Sequence, residues 1–487
     1  MDLNWNIILR ISGALFIVIS AAMIPSSLVS YIYNEPETAL AFTKTIIPSI
    51  VIGGLLLLIT KSGTGRIKVR DGYIIVALCW ILSSLIAAVP FVLSGAIPNV
   101  IDAFFETSSG FSTTGASILT DVEVLSKGLL FWRSFTHWLG GMGILIFAIA
   151  LLPSLGINGQ AIAKAEAPGP TLDKLTPKLS DTAKRLYTLY FGFTLILVLL
   201  LKFGGLSLYD SLVHSFGTIA TGGFSIYNNS IGHYDNAYVE MVIAFFMIIA
   251  GVNFNLYFIL FRQGFRGFFQ DLELRFFLFL VLTVTLVMSL NLYAANIYES
   301  LAYSFRYAFF QIASIISTTG YITDNYDLWP TFSKILLLVL MLIGASSSST
   351  SGGMKVIRIL VIFKFIKRGI ALRLHPSAIV HLKFGNKALP IDTVSAIASF
   401  IFLYIMTIFI STLLISTEGH SMMTNFSAVI ACLGNVGPGF DQVGAIMNYS
   451  LFSNGSTLLL AFLMLAGRLE LFTIILLLSP RFWNPNR

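Results

Sequence analysis

Charge is what this sequence has least of. Only 11% of its 487 residues are Asp, Glu, Lys or Arg, against about 25% in an average globular domain, so the chain lacks the polar material to cover a soluble surface. Cysteine is nearly absent. Cys79 and Cys432 are the only two, both in apolar or membrane-dipping stretches, and they read as small core residues. The six histidines form no HxxxH or Cys/His cluster, which leaves a metal-ligand set without support. No GxxxxGK[ST] occurs, so control by ATP or NAD would have to arrive through a partner. No Ser/His/Asp set stands in the apolar runs, which argues against a membrane enzyme; a receptor binding a small ligand in glycine loops is the other rival class.

What the chain has instead is apolar length. Ile7–Tyr33, Tyr73–Leu93, Leu186–Phe203, Phe276–Tyr293, Val394–Ile415 and Leu458–Leu478 each suit a hydrocarbon layer of roughly 30 Å, which takes about 20 apolar residues per helix. The first run is flanked by Asp2 and Arg10 and lacks a small-residue cleavage pattern, so it reads as a retained helix. The net charge of +7 is a matter of placement. Basic residues gather in alternate loops: Lys61 to Arg70, Lys164 to Arg185, Arg262 to Arg275, Lys364 to Lys387, and Arg481 with Arg487. The intervening loops carry Glu35, Glu37, Asp102, Glu106, Asp121, Glu123, Asp210, Asp235, Glu240, Asp324, Asp327, Glu418 and Asp441. Basic loops belong on the cytoplasmic side of a membrane, so the excess implies a lipid bilayer and needs no nucleic acid.

One oddity returns four times. GFSTTGAS at 110–117 recurs as GTIATGGFS at 217–225, SIISTTGYI at 314–322 and, more loosely, ACLGNVGPGF at 431–440. Aligned on Gly115, Gly222, Gly320 and Gly437, the period is about 100 to 115 residues, the size of a small helical module and too long for a solenoid. Each copy follows an apolar span and a segment too short to cross: Ile101–Ser109, Tyr209–Thr218, Leu301–Ile316 and Met422–Leu433. A second span follows each: Leu129–Leu152, Val239–Phe261, Ile335 to past Ile357, and Thr457–Leu478. Two crossings per module place every glycine loop on one face, the face of the acidic loops. The copies are therefore parallel, unlike inverted-repeat transporters.

The sequence thus predicts an all-α polytopic membrane protein. Four parallel pseudo-repeats of helix, half-helix with loop, and helix would surround one pore, after two extra N-terminal helices at Ile7–Tyr33 and Ile46–Thr60. The expected divisions are 1–70, then repeats at 71–160, 161–268, 269–370 and 371–487.

Non-helical backbone at membrane depth survives only when buried in protein or lining water. Four such stretches around one axis supply carbonyls to replace a cation's hydration shell, and glycine permits the φ values that aim them. The expected ligands are Thr113, Thr114 and Gly115; Ala220, Thr221 and Gly222; Thr318, Thr319 and Gly320; and Asn435, Val436 and Gly437. Thr114, Thr221 and Thr319 precede the glycine in three copies, where a hydroxyl adds an oxygen ligand or braces the loop. No carboxylate lies in the four stretches, which favours a weakly hydrated monovalent ion over Mg²⁺ or Ca²⁺.

STTG at 112–115, ATGG at 220–223, STTG at 317–320 and GNVGPG at 434–439 resemble the Trk/Ktr/HKT superfamily of potassium transporters. The resemblance covers the whole chain and is nearest to the membrane subunits of bacterial Trk systems, whose two extra N-terminal spans the shorter KtrB relatives lack. It implies K⁺ as the transported ion, a homodimer, and a cytoplasmic nucleotide-binding partner ring of the TrkA type, with ATP/ADP or NAD on the partner alone. Localisation in a bacterial inner membrane follows from the same likeness. Glycine at all four aligned positions is the pattern of potassium-selective members. The fourth copy departs with Asn435-Val436-Gly437, which keeps a sodium-permeant or Na⁺/H⁺-coupled transporter as the alternative.

Two further features lie beneath these stretches. Ala345 to Gly353 are all Ala, Ser, Thr or Gly inside strongly apolar flanks, which suits either close helix packing or a broken helix with a loop in the pore. The resemblance implies the second and makes a gate of Gly344, Ala345, Ser346, Ser347, Ser348, Ser349, Thr350, Ser351, Gly352 and Gly353. Arg468 and Glu470 stand near the middle of the last span, where a charge costs at least about 2.5 kcal/mol and is functional by default. They are two positions apart and so are not a helical pair; the resemblance implies that Arg468 opposes cations below the filter and contacts the Ser-rich loop, completing the gate. His137, Trp138, Gly140 and Gly141 read as core packing, and Lys127 and Arg133 carry no role legible in sequence.

Overall fold

The computed structural model describes residues 3–60, 68–141, 143, 179–378, 380–384 and 387–483. The inner part of the Leu129–Leu152 run, and with it Lys61, Arg66, Lys164, Lys174, Lys178 and Arg487, lies outside the described residues. The described chain is helical apart from loops and one antiparallel pair of two-residue strands, Lys383–Phe384 with Lys387–Ala388. Six described helices are long and apolar enough to cross a membrane, and eight spans result if each of two bent pairs counts as one.

The N-terminal helices Trp5–Ile32 and Pro36–Ile59 cross closely because Gly13 and Gly53 face each other; a Cβ on Gly13 would lie 2.9 Å from the Gly53 carbonyl oxygen. The second of these begins ten residues earlier than the sequence reading placed it. Pro36 suits a first helical position, and Thr43 and Thr45 return their hydroxyls to the carbonyls of Ala39 and Ala41 instead of ending the helix. Glu35, just ahead, accepts the backbone N–H of Lys127 at 2.6 Å and of Gly128 at 3.0 Å, capping the helix Lys127–Gly141.

The four short segments fold as half-helices: Val100–Phe111, Leu208–Ile219, Leu301–Ile316 and Met422–Leu433. Each starts on a side-chain cap, from Asn99, Ser207, Ser300 and Ser421, so the start signal is local in all four. The full-length helices before them are Val69–Leu93, Leu179–Phe203, Leu272–Ala294 and Ile391–Ile415.

The second spans are less regular than their apolar runs imply. The Val239–Phe261 run is not one helix. Ala237–Gly251 and Phe254–Phe268 meet at 90°, with Asn253 capping the second and the freed Gly251 carbonyl accepting the Ser346 N–H. The Thr457–Leu478 run also breaks: Asn454–Arg468 and Phe472–Leu478 meet at 119°, with Glu470 and Leu471 at φ of 54° and 58°. In the third repeat, where a break was expected, Thr331–Ile343 and Val356–Leu374 flank the Ser-rich loop.

Candidate ion-conducting site

Each half-helix ends in the same way. Thr114 N–H donates to Ser109 and Thr113 N–H to Gly110; Gly222 to Gly217 and Thr221 to Thr218; Thr319 to Ser314 and Thr318 to Ile315; Val436 to Ala431 and Asn435 to Cys432. This is the Schellman arrangement, which places one residue in the left-handed region. That residue is usually glycine. Here it is Thr113, Thr221, Thr318 and Asn435, with φ of 56°, 55°, 58° and 54°. β-Branched residues resist this conformation, and it persists only where the surroundings over-determine it.

Two residues further on come Gly115, Gly223, Gly320 and Gly437, with φ of 84°, 79°, 82° and 97°. In the second repeat the structural frame therefore runs through Gly223, one residue beyond the glycine chosen by sequence alignment. Thr221 matches Thr113, Thr318 and Asn435, while Gly222 matches Thr114, Thr319 and Val436. Ala220 sits at the helical cap, in the position of Ser112, Ser317 and Gly434. The double glycine of ATGGF allowed two registers, and the end of the Leu208–Ile219 helix selects between them.

The four glycines close a ring. A Cβ on Gly115 would overlap the Gly222 carbonyl oxygen, one on Gly223 that of Thr319, and one on Gly320 that of Val436. One on Gly437 would lie 2.6 Å from that of Thr114. Each repeat's glycine thus abuts the next repeat's preceding carbonyl, and the fourth returns to the first. All four glycines border a single cavity of about 120 Å³. The C-terminal ends of the half-helices precede the ring, and their dipoles favour a cation there.

The ring is braced from behind, differently in each repeat. Ser112 pairs with Thr114 and Ser317 with Thr319, each hydroxyl pair at 2.7 Å. The second and fourth repeats have Ala220 with Gly222 and Gly434 with Val436 in those positions and cannot form such a pair. Asn435 replaces it by donating to Thr114 Oγ1 at 2.9 Å and to the Met464 carbonyl at 2.8 Å. Tyr449 donates to the Gly437 carbonyl at 2.7 Å.

His137, read from sequence as core packing, is buried but hydrogen-bonded, and Arg133, which sequence left without a role, has a defined position beside it. Phe224 N–H donates to His137 Nε2 at 3.2 Å, so the ring proton sits on Nδ1 and is donated to the Gly110 carbonyl at 2.7 Å. The imidazole thereby joins the first half-helix to the second loop. Arg133 is buried, pairs with Glu106 at 2.5 Å, donates to the Ser225 carbonyl at 2.9 Å and stacks over Phe224. Glu106 also accepts the Ile118 N–H at 2.9 Å. Removing one member of a buried pair strands the other charge, so Arg133→Met is expected to cost about 3–5 kcal/mol. A thermal unfolding curve in detergent that matched the wild type would refute this. Lys127 stacks on Tyr209, whose hydroxyl donates to the Lys127 carbonyl at 2.7 Å.

The Ser-rich loop runs from Gly344 to Lys355 and is closed at its neck. Met354 N–H donates to Leu342 and Lys355 N–H to Ile343, while a Cβ on Gly353 would lie 2.8 Å from Gly344 Cα. It is a compact loop with close ends, buried at Gly344–Ser346 and Thr350–Gly352 and exposed at Ser348. Ser346 N–H donates to the Gly251 carbonyl, and the Ser348 carbonyl accepts the Phe254 N–H. Thr350 Oγ1 donates to the Ile219 carbonyl at 3.1 Å, and Gly352 N–H donates to Thr318 Oγ1 at 2.7 Å. Ser349 joins the Ser346 carbonyl to Ser351, and the Lys355 ammonium is bound by the Ser351 carbonyl. The Ala345 carbonyl accepts the Val356 N–H.

Beside Lys355, charged side chains hold this loop and its exit helix in three places, and of them only Arg468 and Glu470 were singled out from sequence. Arg468 donates to the Thr350 carbonyl at 2.6 Å and to Gly140 and Gly141 at 2.8 and 2.7 Å, joining the loop to the first repeat. Glu273 accepts the Ser347 N–H and hydroxyl at 2.7 Å each and the Ile357 N–H at 3.2 Å, gripping both limbs. Arg358 pairs with Glu470 at 2.5 Å and stacks on Phe400 at 4.1 Å, tying the loop's exit helix to the break in the last span. Sequence offered one signal for the last two, since each charge interrupts or abuts an apolar run.

The chain is similar over its length to known cation transport proteins. The family model described as "TrkH: Cation transport protein" matches residues 39–484. The chain is 38% identical to the Trk system potassium uptake protein TrkH of Salmonella typhimurium, over 99% of this chain and all of that protein. It is 34% identical to the Trk system potassium uptake protein TrkG of Escherichia coli K12, over 98% and 99%. The crystal structure of the potassium transporter TrkH from Vibrio parahaemolyticus superposes with a TM-score of 0.89 at 34% identity, covering 99% of this chain and 100% of that one. That is a family of transporters and not of enzymes. With its fold, its four-loop ring and its full-length similarity, the chain belongs to the TrkH family of cation transport proteins.

Proposed function

We propose that the protein takes up K⁺ across a bacterial inner membrane through the four-loop ring, down the electrochemical gradient. The observation that carries this reading is the closed circuit of glycines and carbonyls around one cavity, free of carboxylates. Its ligands would be the oxygens of Thr113, Thr114, Gly115, Thr221, Gly222, Thr318, Thr319, Gly320, Asn435, Val436 and Gly437, with Gly223 completing the ring; Ala220, at the helical cap, is the candidate furthest from the ring glycine. Neutral oxygens replace the shell of a weakly hydrated ion at low cost. An inside-negative potential supplies about 2.3 kcal/mol per charge per 100 mV, enough to drive accumulation.

In this reading the loop from Gly344 to Gly353, held by Arg468 and Glu273, is the gate, and the ring faces outward with the basic loops in the cytoplasm. The relatives bear the name of a Trk system, which supports a multi-component assembly. A homodimer with a TrkA-type nucleotide-binding ring fits it, docking at loops 154–185 and 262–275. Arg262 and Arg266 are exposed in the second of these. The unequal bracing of the four repeats favours keeping a sodium-permeant or Na⁺/H⁺-coupled transporter as the second reading.

The test is uptake of K⁺, Rb⁺, Na⁺ and Li⁺ by purified protein in sealed vesicles. K⁺ and Rb⁺ flux well above Na⁺ is expected. Flux indifferent to the ion would overturn a selective ring, and Na⁺ flux matching K⁺ would favour the second reading.

A further inference from the structure

The four left-handed residues beneath the ring occupy one backbone position but have four different partners. Thr113 Oγ1 is buried and bonds to no protein group. Thr221 Oγ1 turns back to the Ala220 carbonyl at 2.6 Å. Asn435 reaches sideways to Thr114 and Met464. Among the four, Thr318 is the one whose side chain is hydrogen-bonded to the Ser-rich loop, accepting the Gly352 N–H at 2.7 Å in a buried contact.

Gly352 makes that contact from a position that admits no side chain. A Cβ there would overlap the Gly434 carbonyl and lie 2.8 Å from Asn435 Cβ. One peptide of the loop therefore presses on the undersides of the third and fourth ring loops together. Thr318 is also the hinge for what lies above it. Its dihedral angles orient the following peptides, and the Thr319 carbonyl is the one that abuts Gly223. A left-handed β-branched residue is held against its own preference, and the net worth of one hydrogen bond is comparable with that strain. Withdrawing the loop removes this restraint from the third repeat.

We propose that Thr318 couples the loop to the ring, so that releasing the loop changes which cations pass as well as how many. This rests on the gate and filter assigned above, with Thr318 as the positioning residue that links them. Ion preference then belongs to the state of the loop and is not a fixed property of the ring.

The test separates release of the loop from damage to the ring. Glu273 holds the loop by Ser347 and Ile357 and is not part of the ring. In sealed vesicles, Glu273→Gln and Thr318→Val should each raise resting K⁺ flux. Each should also lower the K⁺/Na⁺ flux ratio by roughly twofold to tenfold, the range that one such hydrogen bond supplies. Thr318→Ser, which keeps the hydroxyl, should restore both. A ratio that moves in Thr318→Val alone, or in neither variant, overturns the coupling. Failure of Thr318→Ser to restore the ratio overturns it as well. Raised flux at constant ratio in Glu273→Gln would leave the gate standing without the coupling, whereas unchanged flux in that variant would remove the gate reading too.

Discussion

Gly223→Ala is expected to abolish selective K⁺ uptake. The residue has a φ of 79°, where an alanine pays roughly 1–2 kcal/mol for the left-handed conformation alone. Its new methyl would also overlap the Thr319 carbonyl oxygen, and the Gly320 carbonyl carbon would be 3.2 Å away. These are backbone atoms of the neighbouring ring loop, so no flexible side chain can yield. Either the third loop rotates its carbonyl away or the second loop leaves its conformation, and both break the circuit. Uptake of K⁺ should fall to background, or the K⁺/Na⁺ ratio should approach one. Gly54→Ala is the control, since a Cβ there meets nothing within 4 Å. Wild-type uptake and selectivity in Gly223→Ala would show that the backbone frame of the second repeat is wrong.

Resting flux is expected to rise by about tenfold or more in Arg468→Ala. The guanidinium donates to three carbonyls, Thr350 on the loop and Gly140 with Gly141 at the end of the Lys127–Gly141 helix. Hydrogen bonds from a charged donor are worth about 1.5–3 kcal/mol, and 1.4 kcal/mol is already tenfold in an equilibrium. A helix C-terminus is moreover a favourable place for a cation, so the anchoring at Gly140 and Gly141 is stronger than one surface bond. Arg468→Lys separates two causes. An ammonium keeps the charge but cannot span both anchors with the fork of a guanidinium. High flux in Arg468→Lys would identify the side chain as a tether for the loop; low flux there and high flux in Arg468→Ala would identify an electrostatic barrier. Unchanged flux in both would remove Arg468 from the proposed gate.

The half-helices were legible because their signals are local. Ser207, Ser300, Ser421 and Asn99 cap the starts, and each end lies within a glycine-containing stretch. The break at Gly344 was legible only in part: the run of small residues suited close helix packing as well as a broken helix, and the family resemblance chose the break that the structure shows. The bends at Val252 and Glu470 were not legible. Asn253 and the pair Arg468 and Glu470 interrupt those runs, but a polar residue in an apolar run does not by itself say that the helix breaks there; the bends are held by tertiary partners, the freed Gly251 carbonyl on Ser346 and the Glu470 side chain on Arg358.

The same division runs through the site. Composition, the apolar runs and the fourfold return of the glycine stretch determined a helical membrane protein with four recurring glycine loops, because lipid leaves few solutions for a polar backbone at depth. Tertiary structure decided which glycine of Gly222 and Gly223 joins the ring, since the two are equivalent until the Thr319 carbonyl lies against one of them. It also decided that Glu273, Arg358 and Glu470 serve the loop, because a charge in an apolar run announces that it must be paired but not with whom.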